Sequence, residues 1–209
     1  MKKCLLLIVG LAVLFPGAAR AQLNVGARTG YSFALGDADG TAAMTDITSG
    51  QLPLHLDIGY RPSGTGITIG GYLTYGFGST SGLTKDTCAA NGVSCSTNSL
   101  HVGAQLLYDL GRPHDPNVPW LGFGLGYDAL TFKAAAGTSS SEVTMSGVEF
   151  IFQGGYDWRV GAGAIGGFAS FSLARYTDLS GGGQSGALAD TRLHEWLTLG
   201  LRGSFDLGG

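Results

Sequence analysis

GVEFIFQGGYDWRVGAGAIGGFASFSLARY, residues Gly147 to Tyr176, is the stretch whose reading decides the fold. In its first half Val148, Phe150, Phe152, Tyr156, Trp158 and Val160 share one parity, and Glu149, Gln153, Asp157 and Arg159 share the other. Successive strand side chains point to opposite faces, so this is a strand with one apolar face and one ionic face. Gly161-Ala162-Gly163 makes a short turn, after which Ala169, Phe171 and Leu173 alternate with Ser170 and Ser172. The open question is which side of this hairpin is wet. An inward apolar face means a soluble lipocalin-like barrel or a sandwich; an outward one means a barrel in lipid.

The first residues address the compartment. Lys2 and Lys3 precede a short apolar run, Leu5 to Phe15, and Ala18-Ala19-Arg20-Ala21 offers a small-x-small cleavage site before Gln22. This is the pattern of a secretory signal peptide, with the run too short to cross a ~30 Å bilayer as a helix. Cys4 stands before the apolar run, out of place for lipoprotein acylation. The expected division is a signal peptide over 1–21 and one barrel domain over 22–209.

Cleavage removes Lys2, Lys3 and Arg20 and no acid, leaving 12 − 3 = 9 basic and 15 acidic residues, a net charge of −6. That balance excludes a nucleic-acid partner, which requires a basic patch. With 37 glycines and only 13% charged residues, the chain departs from a soluble domain, where about a quarter of residues are charged. No later segment is long enough for a membrane-crossing helix, so insertion would be as strands.

Taken in order, the alternation predicts eight strands. Leu23, Val25, Ala27, Tyr31 and Phe33 alternate with Arg28 and small polar residues; Leu52, Leu54, Leu56, Ile58 and Tyr60 oppose His55, Asp57 and Arg61. Ile67, Ile69, Leu73, Tyr75 and Phe77 follow, and then Leu100 to Leu110 against His101, Gln105 and Asp109. Leu121, Phe123, Leu125 and Tyr127 interleave with Gly122, Gly124, Gly126 and Asp128. After the opening hairpin, Leu193 to Leu207 alternate with His194, Thr198, Arg202, Ser204 and Asp206. Long connections are expected at 36–51, 78–98, 134–141 and 177–191, and short turns between them. Short turns at one rim and long loops at the other, joined by ~10-residue alternating segments, mark a transmembrane barrel.

The polar face carries Arg28, Asp57, Arg61, Glu149, Asp157, Arg159 and Arg202 among glycine and serine. An eight-stranded barrel has an interior just filled by side chains, so the charges and glycines are expected inside and the large aromatics outside. Tyr60, Tyr108 and Trp158 at one rim, and Tyr31, Phe33, Tyr75 and Phe77 at the other, suit two aromatic girdles.

With the exported start, the alternation, GVEFIFQGGYDWRV and the ending HEWLTLGLRGSFDL, the chain resembles the small outer-membrane β-barrel superfamily, which includes the OmpA membrane domain and OmpX. The resemblance covers the whole mature chain and rests on pattern. It implies an all-β, eight-stranded antiparallel up-and-down transmembrane barrel in the bacterial outer membrane, a monomer among lipid and lipopolysaccharide. It also implies handling by the barrel-insertion machinery, which commonly reads a terminal aromatic. Here the last aromatic, Phe205, stands four residues before Gly209.

Three constellations could carry chemistry. Cys88 and Cys95, the pair left after export, are expected to form a disulfide in an oxidising compartment. Arg28, Asp57 and Arg202 should lie at similar depth on neighbouring strands, making a lumen charge cluster extended by Gln105 and Gln153 and joined, by parity, by Glu149, Asp157 and Arg159. Its reading is a plug, because buried charges must be paired; the rival reading is a gated narrow pore. His55, His101, Glu149 and His194 form a third set on the lumen parity. A lipid A-modifying barrel enzyme would need a serine activated at the membrane face, whereas Ser170 and Ser172 are expected in the lumen. A soluble lipocalin-like binder would need a roomy apolar interior. Neither a metal site nor a cofactor is expected, and the function expected is non-enzymatic: envelope integrity or surface interaction.

Overall fold

A computed structural model of the chain describes residues 21–38, 42–111 and 115–207. Residues 1–20 of the predicted signal peptide lie outside the described residues, and its last residue, Ala21, opens the first strand. Among the described residues nine strands and two short helices follow in the order β1 (Ala21–Gly36), α1 (Met44–Ile47), β2 (Thr48–Pro62), β3 (Ile67–Thr80), α2 (Gly82–Ala90), β4 (Ser94–Asp109), β5 (Asn117–Ala136), β6 (Ser139–Val160), β7 (Gly163–Gly181), β8 (Gln184–Ala187) and β9 (Leu193–Leu207).

Each of β1 to β7 pairs antiparallel with the next, β9 pairs with β7 on one side and β1 on the other, and the ring closes. The ring has the eight strands expected. β8 is an addition that pairs only with the outer end of β7; its four residues, QSGA, are exposed and have no apolar alternation to announce them. Ring strands of 15 or 16 residues, such as β2 and β1, span roughly 35 Å at a ~45° tilt, enough to cross the ~25 Å apolar band of a membrane barrel.

One expected loop is not a loop. Residues 134–141 belong to a ladder that runs on to Ala136↔Ser139, closed by a tight turn with Gly137 at φ 58°. The protruding hairpin pairs three alanines with three serines, small residues of one kind along each arm, so it carries no periodicity, and its order rests on backbone pairing. The other three outer connections fold back on themselves through α1, α2 and β8. At α2 the Ser81 hydroxyl accepts from the Thr84 N–H and donates to the Asp46 carbonyl, tying the second outer loop to the first. Cys88 and Cys95 are bonded, joining the end of α2 to the start of β4.

The parity of the sequence is the two-sidedness of the wall. Phe152 is 52% exposed on the outside while Glu149 is 0% exposed within. Leu54, Leu56, Ile58, Leu73, Val102, Leu125 and Leu199 share the outer face, and the aromatic residues named above stand toward its two rims. A contiguous apolar belt of this extent does not occur on a water-soluble surface.

The expectation that large aromatics stay outside is corrected in part. Tyr72, Trp120, Phe168, Tyr176 and Trp196 are buried in the lumen, and glycine makes the room. Tyr72 of β3 stands in register with Gly103, Gly126 and Glu149 on the next three strands. Its ring crosses both glycines. A Cβ on Gly126 would come within 2.1 Å of the Tyr72 hydroxyl, and one on Gly103 within 2.6 Å.

Candidate functional site: a layered lumen

From the short-turn rim upward, the lumen side chains sort into layers. At the rim Arg61 reaches Asp109 at 3.4 Å and Asp206 at 3.2 Å, Arg159 lies 3.5 Å from Asp109, and Asn24 donates to Asp206. Arg159 therefore belongs to the rim and not to the central cluster in which sequence parity places it.

Above the rim lie Arg28 and Arg202, and the structure divides what the sequence reading puts together. Arg28 grips Asp57 with two hydrogen bonds, Nε to Oδ2 at 2.8 Å and Nη2 to Oδ1 at 2.6 Å. It also donates to Gln105 Oε1 at 3.0 Å and to Gln153 Oε1, while Gln153 Nε2 donates to Gln105 Oε1 at 2.9 Å. The Trp120 and Phe168 rings flank its guanidinium. A planar fork binding one carboxylate through two parallel bonds is the strongest arrangement a guanidinium has.

Arg202 does not join Asp57. Arg28 and Arg202 are direct cross-strand partners on β1 and β9, and like charges directly opposite repel. Each turns to its own carboxylate. Arg202 reaches Asp157 Oδ2 at 3.1 Å across Gly166 and lies over the Trp120 ring at 4.3 Å; Trp120 Nε1 in turn donates to Asp157 at 3.2 Å. A Cβ on Gly166 would sit 2.4 Å from Asp157 Oδ1, so this crossing also needs glycine.

The third layer gathers Tyr72, His101, Asp128, Glu149, Tyr176 and His194, all buried. His101 Nδ1 lies 3.0 Å from Glu149 Oε2, and His194 Nε2 lies 3.0 Å from Asp128 Oδ2. Glu149, grouped by sequence with the arginine cluster, thus pairs with a histidine. His55 stays below, 2.9 Å from Asp57 and stacked on Tyr72. The sequence reading passes over Asp128 because it follows three alternating glycines on β5. The signal for it is its parity, which is that of the lumen. Over this layer Ala34, Ala38, Met44, Leu130, Tyr176 and Trp196 form an apolar cap at the long-loop end.

Between the second and third layers lies a cavity of about 50 Å³ lined by Arg28, His101, Glu149, Gln153, Ser172 and Trp196 among others. Ser170 also lines it, so both serines weighed as nucleophiles face the lumen and not the lipid.

No protein-family model matches the chain, and no curated protein matches it by sequence. Solved structures match its architecture. The Neisserial surface protein A is 14% identical with a TM-score of 0.56, over 88% of this chain and 97% of that one. A major outer membrane protein from Thermus thermophilus is 11% identical with a TM-score of 0.62, over 90% and 99%. At such identities the likeness speaks for the fold alone. The chain has the fold of the small outer-membrane β-barrels.

Proposed function

We propose that the chain is a non-enzymatic outer-membrane barrel whose lumen is closed by paired charges, and that it serves envelope integrity or surface interaction in place of transport. The observation that carries this reading is the Arg28 layer. One guanidinium bridges Asp57, Gln105 and Gln153 on three other strands, so the bonds reach across the lumen. Opening a passage there would strip a buried ion pair of its partners, which costs several kcal/mol. The outer cap of Met44, Leu130 and Trp196 closes the lumen a second time. Against enzymatic action on lipid, Ser170 and Ser172 face inward, and among the described residues no histidine hydrogen-bonds either serine.

The apolar belt and the aromatic rims support residence in the bacterial outer membrane among lipid and lipopolysaccharide, reached through export and the barrel-insertion machinery. What the protein presents to the outside is the β5–β6 hairpin, the disulfide-tied second loop and the β7–β8 flap. Planar-bilayer recording tests the closed lumen. The expected result is no steady single-channel current from the unaltered barrel, and current from a variant with Arg28, Asp57, Gln105 and Gln153 all changed to alanine. A stable conductance in the unaltered protein overturns the plug and establishes a narrow channel.

A further inference from the structure

The third layer of the lumen is built on a different charge plan from the two below it. Four guanidinium groups, Arg28, Arg61, Arg159 and Arg202, face four carboxylates, Asp57, Asp109, Asp157 and Asp206, in the lower layers. Asp128 and Glu149 have no arginine or lysine in ion-pair contact among the described residues; the side chains that face their carboxylates in that role are the imidazoles of His101 and His194.

The far atom of each group is already held. His101 Nε2 lies 3.0 Å from Ser99 Oγ, whose hydroxyl donates to Gln51 at 2.7 Å; Nε2 therefore carries the hydrogen and donates. Tyr72 donates to Glu149 Oε1 at 2.9 Å. Asp128 Oδ2 is met by His194 Nε2 at 3.0 Å and by the Tyr176 hydroxyl at 3.3 Å. The near atoms turn toward one another: His101 Nδ1 is 3.0 Å from Glu149 Oε2 and 3.6 Å from Asp128 Oδ1, and donor atoms of the three residues all lie within 4.8 Å.

Two observations say that this convergence lacks its centre. Asp128 is 0% exposed, yet its Oδ1 has no hydrogen-bond partner, a costly state for a buried carboxylate oxygen. The adjoining cavity, lined by His101 and Glu149, is also lined by Ser172 and Trp196, whose Oγ and Nε1 likewise make no hydrogen bond within the protein.

We propose that His101 Nδ1, Asp128 Oδ1 and Glu149 Oε2 bind a divalent transition-metal ion, with water in the cavity completing its coordination. Metal–ligand bonds of ~2.0–2.2 Å put tetrahedral donors about 3.3–3.6 Å apart; His101 Nδ1 stands 3.0 Å from Glu149 Oε2 and 3.6 Å from Asp128 Oδ1, so shifts of a few tenths of an ångström at these atoms make room for the ion. One imidazole with two carboxylates suits zinc and its first-row neighbours. A dication balances the two carboxylates with His101 neutral, and Nδ1 then offers a lone pair, since the ring hydrogen is on Nε2. The hydrogen bond that His101 donates to Ser99, and those from Tyr72, His194 and Tyr176 to the carboxylates, are the orienting contacts that metal ligands require. The proposal departs from the sequence expectation of no metal.

The test uses the mature chain folded in detergent, verified by heat-modifiable gel migration, stripped with chelator and titrated with zinc chloride by calorimetry. The expected result is one zinc per chain and a melting temperature that rises with zinc. Asp128→Asn and Glu149→Gln should each weaken binding more than tenfold, and Tyr72→Phe by 10- to 100-fold through loss of positioning. Asp206→Asn, at the rim, should leave it unchanged. Cobalt(II) on the unaltered chain should show ligand-field absorption and the pulsed-EPR signature of one histidine nitrogen, a readout that holds if the variants do not fold. Absence of saturable zinc and cobalt binding overturns the proposal and leaves His101 as an imidazolium between two carboxylates. Binding indifferent to Asp128 and Glu149, or a cobalt spectrum without the histidine signal, overturns it as well.

Discussion

Two charged layers share one lumen and differ in how they are closed. The cluster around Arg28 is complete in itself: a bidentate ion pair, two glutamines whose amides bond each other, and aromatic rings on either side; its neighbour Arg202 has an ion pair with Asp157 but keeps Nε and Nη1 without hydrogen bonds. The His101 layer, a few residues further out on the same strands, holds two carboxylates and two imidazoles and leaves Asp128 Oδ1 and His194 Nδ1 without hydrogen-bond partners. Both are buried to a similar degree. The difference teaches that burial alone does not make a lumen charge a plug. Closure depends on whether the cations in the layer are permanent, as guanidinium is, or conditional, as imidazole is.

The comparison breaks most sharply at Asp57. Changing Asp57 to alanine leaves the Arg28 guanidinium buried without its carboxylate and should cost about 3–5 kcal/mol, read as the shift in urea unfolding of the barrel in lipid vesicles. Changing Arg28 to methionine together with Asp57 to leucine should cost far less than the two single losses added, because no uncompensated charge remains. Additive losses in that double-mutant cycle would mean that the pair does not close the layer.

Both layers are defined by facing away from lipid, and that can be tested one residue at a time. Phe152, on the outer face beside the inward Gln153, is placed near mid-bilayer. Arginine at Phe152 should cost about 2–4 kcal/mol. A cost well under 1 kcal/mol would turn the wall inside out and dissolve the comparison.

Much of this was legible in the chain, and the limits have physical causes. Strand parity is set by a period of two, so Glu149, Gln153 and Asp157 could be placed inside and Phe150, Phe152 and Trp158 outside without a structure. The disulfide between Cys88 and Cys95 was legible from the compartment. Which charge meets which was not. Similar depth grouped Arg202 with Arg28 and Asp57, but direct opposition of two guanidiniums on β1 and β9 sends Arg202 over Gly166 to Asp157. The role of Gly103 and Gly126 was hidden for the same reason: it depends on cross-strand register with Tyr72, and register is a relation between distant segments. The β5–β6 ladder beyond Ala134 was missed because an arm of alanines facing an arm of serines has no alternation to read.

A smaller effect separates the layers from the loops above them. Replacing Cys88 and Cys95 with serine removes a short crosslink worth about 2–3 kcal/mol in the chain-entropy account. The change should show first as faster proteolysis of the 81–93 connection, with the Arg28 layer undisturbed and the bilayer still silent. New conductance in that variant would show that the outer loops, and not the Arg28 layer, hold the lumen shut.

The smallest expected change is the most discriminating for the His101 layer. Tyr72→Phe removes one hydroxyl and leaves Glu149 Oε1 without the bond that orients it, at a cost of about 1–2 kcal/mol. Gly126→Ala should break the same bond by another route, because its Cβ would stand 2.1 Å from the Tyr72 hydroxyl, and should cost more in total, because that Cβ also meets the Val102 carbonyl at 2.6 Å. If the glycine is there to let the phenol reach Glu149, the two changes act on one contact. The double variant should then lose little more than Gly126→Ala alone, measured by the same urea unfolding. If the losses simply add, Gly126 serves only the packing between β4 and β5, and the Tyr72 bond to Glu149 stands apart from the glycine row that crosses the sheet.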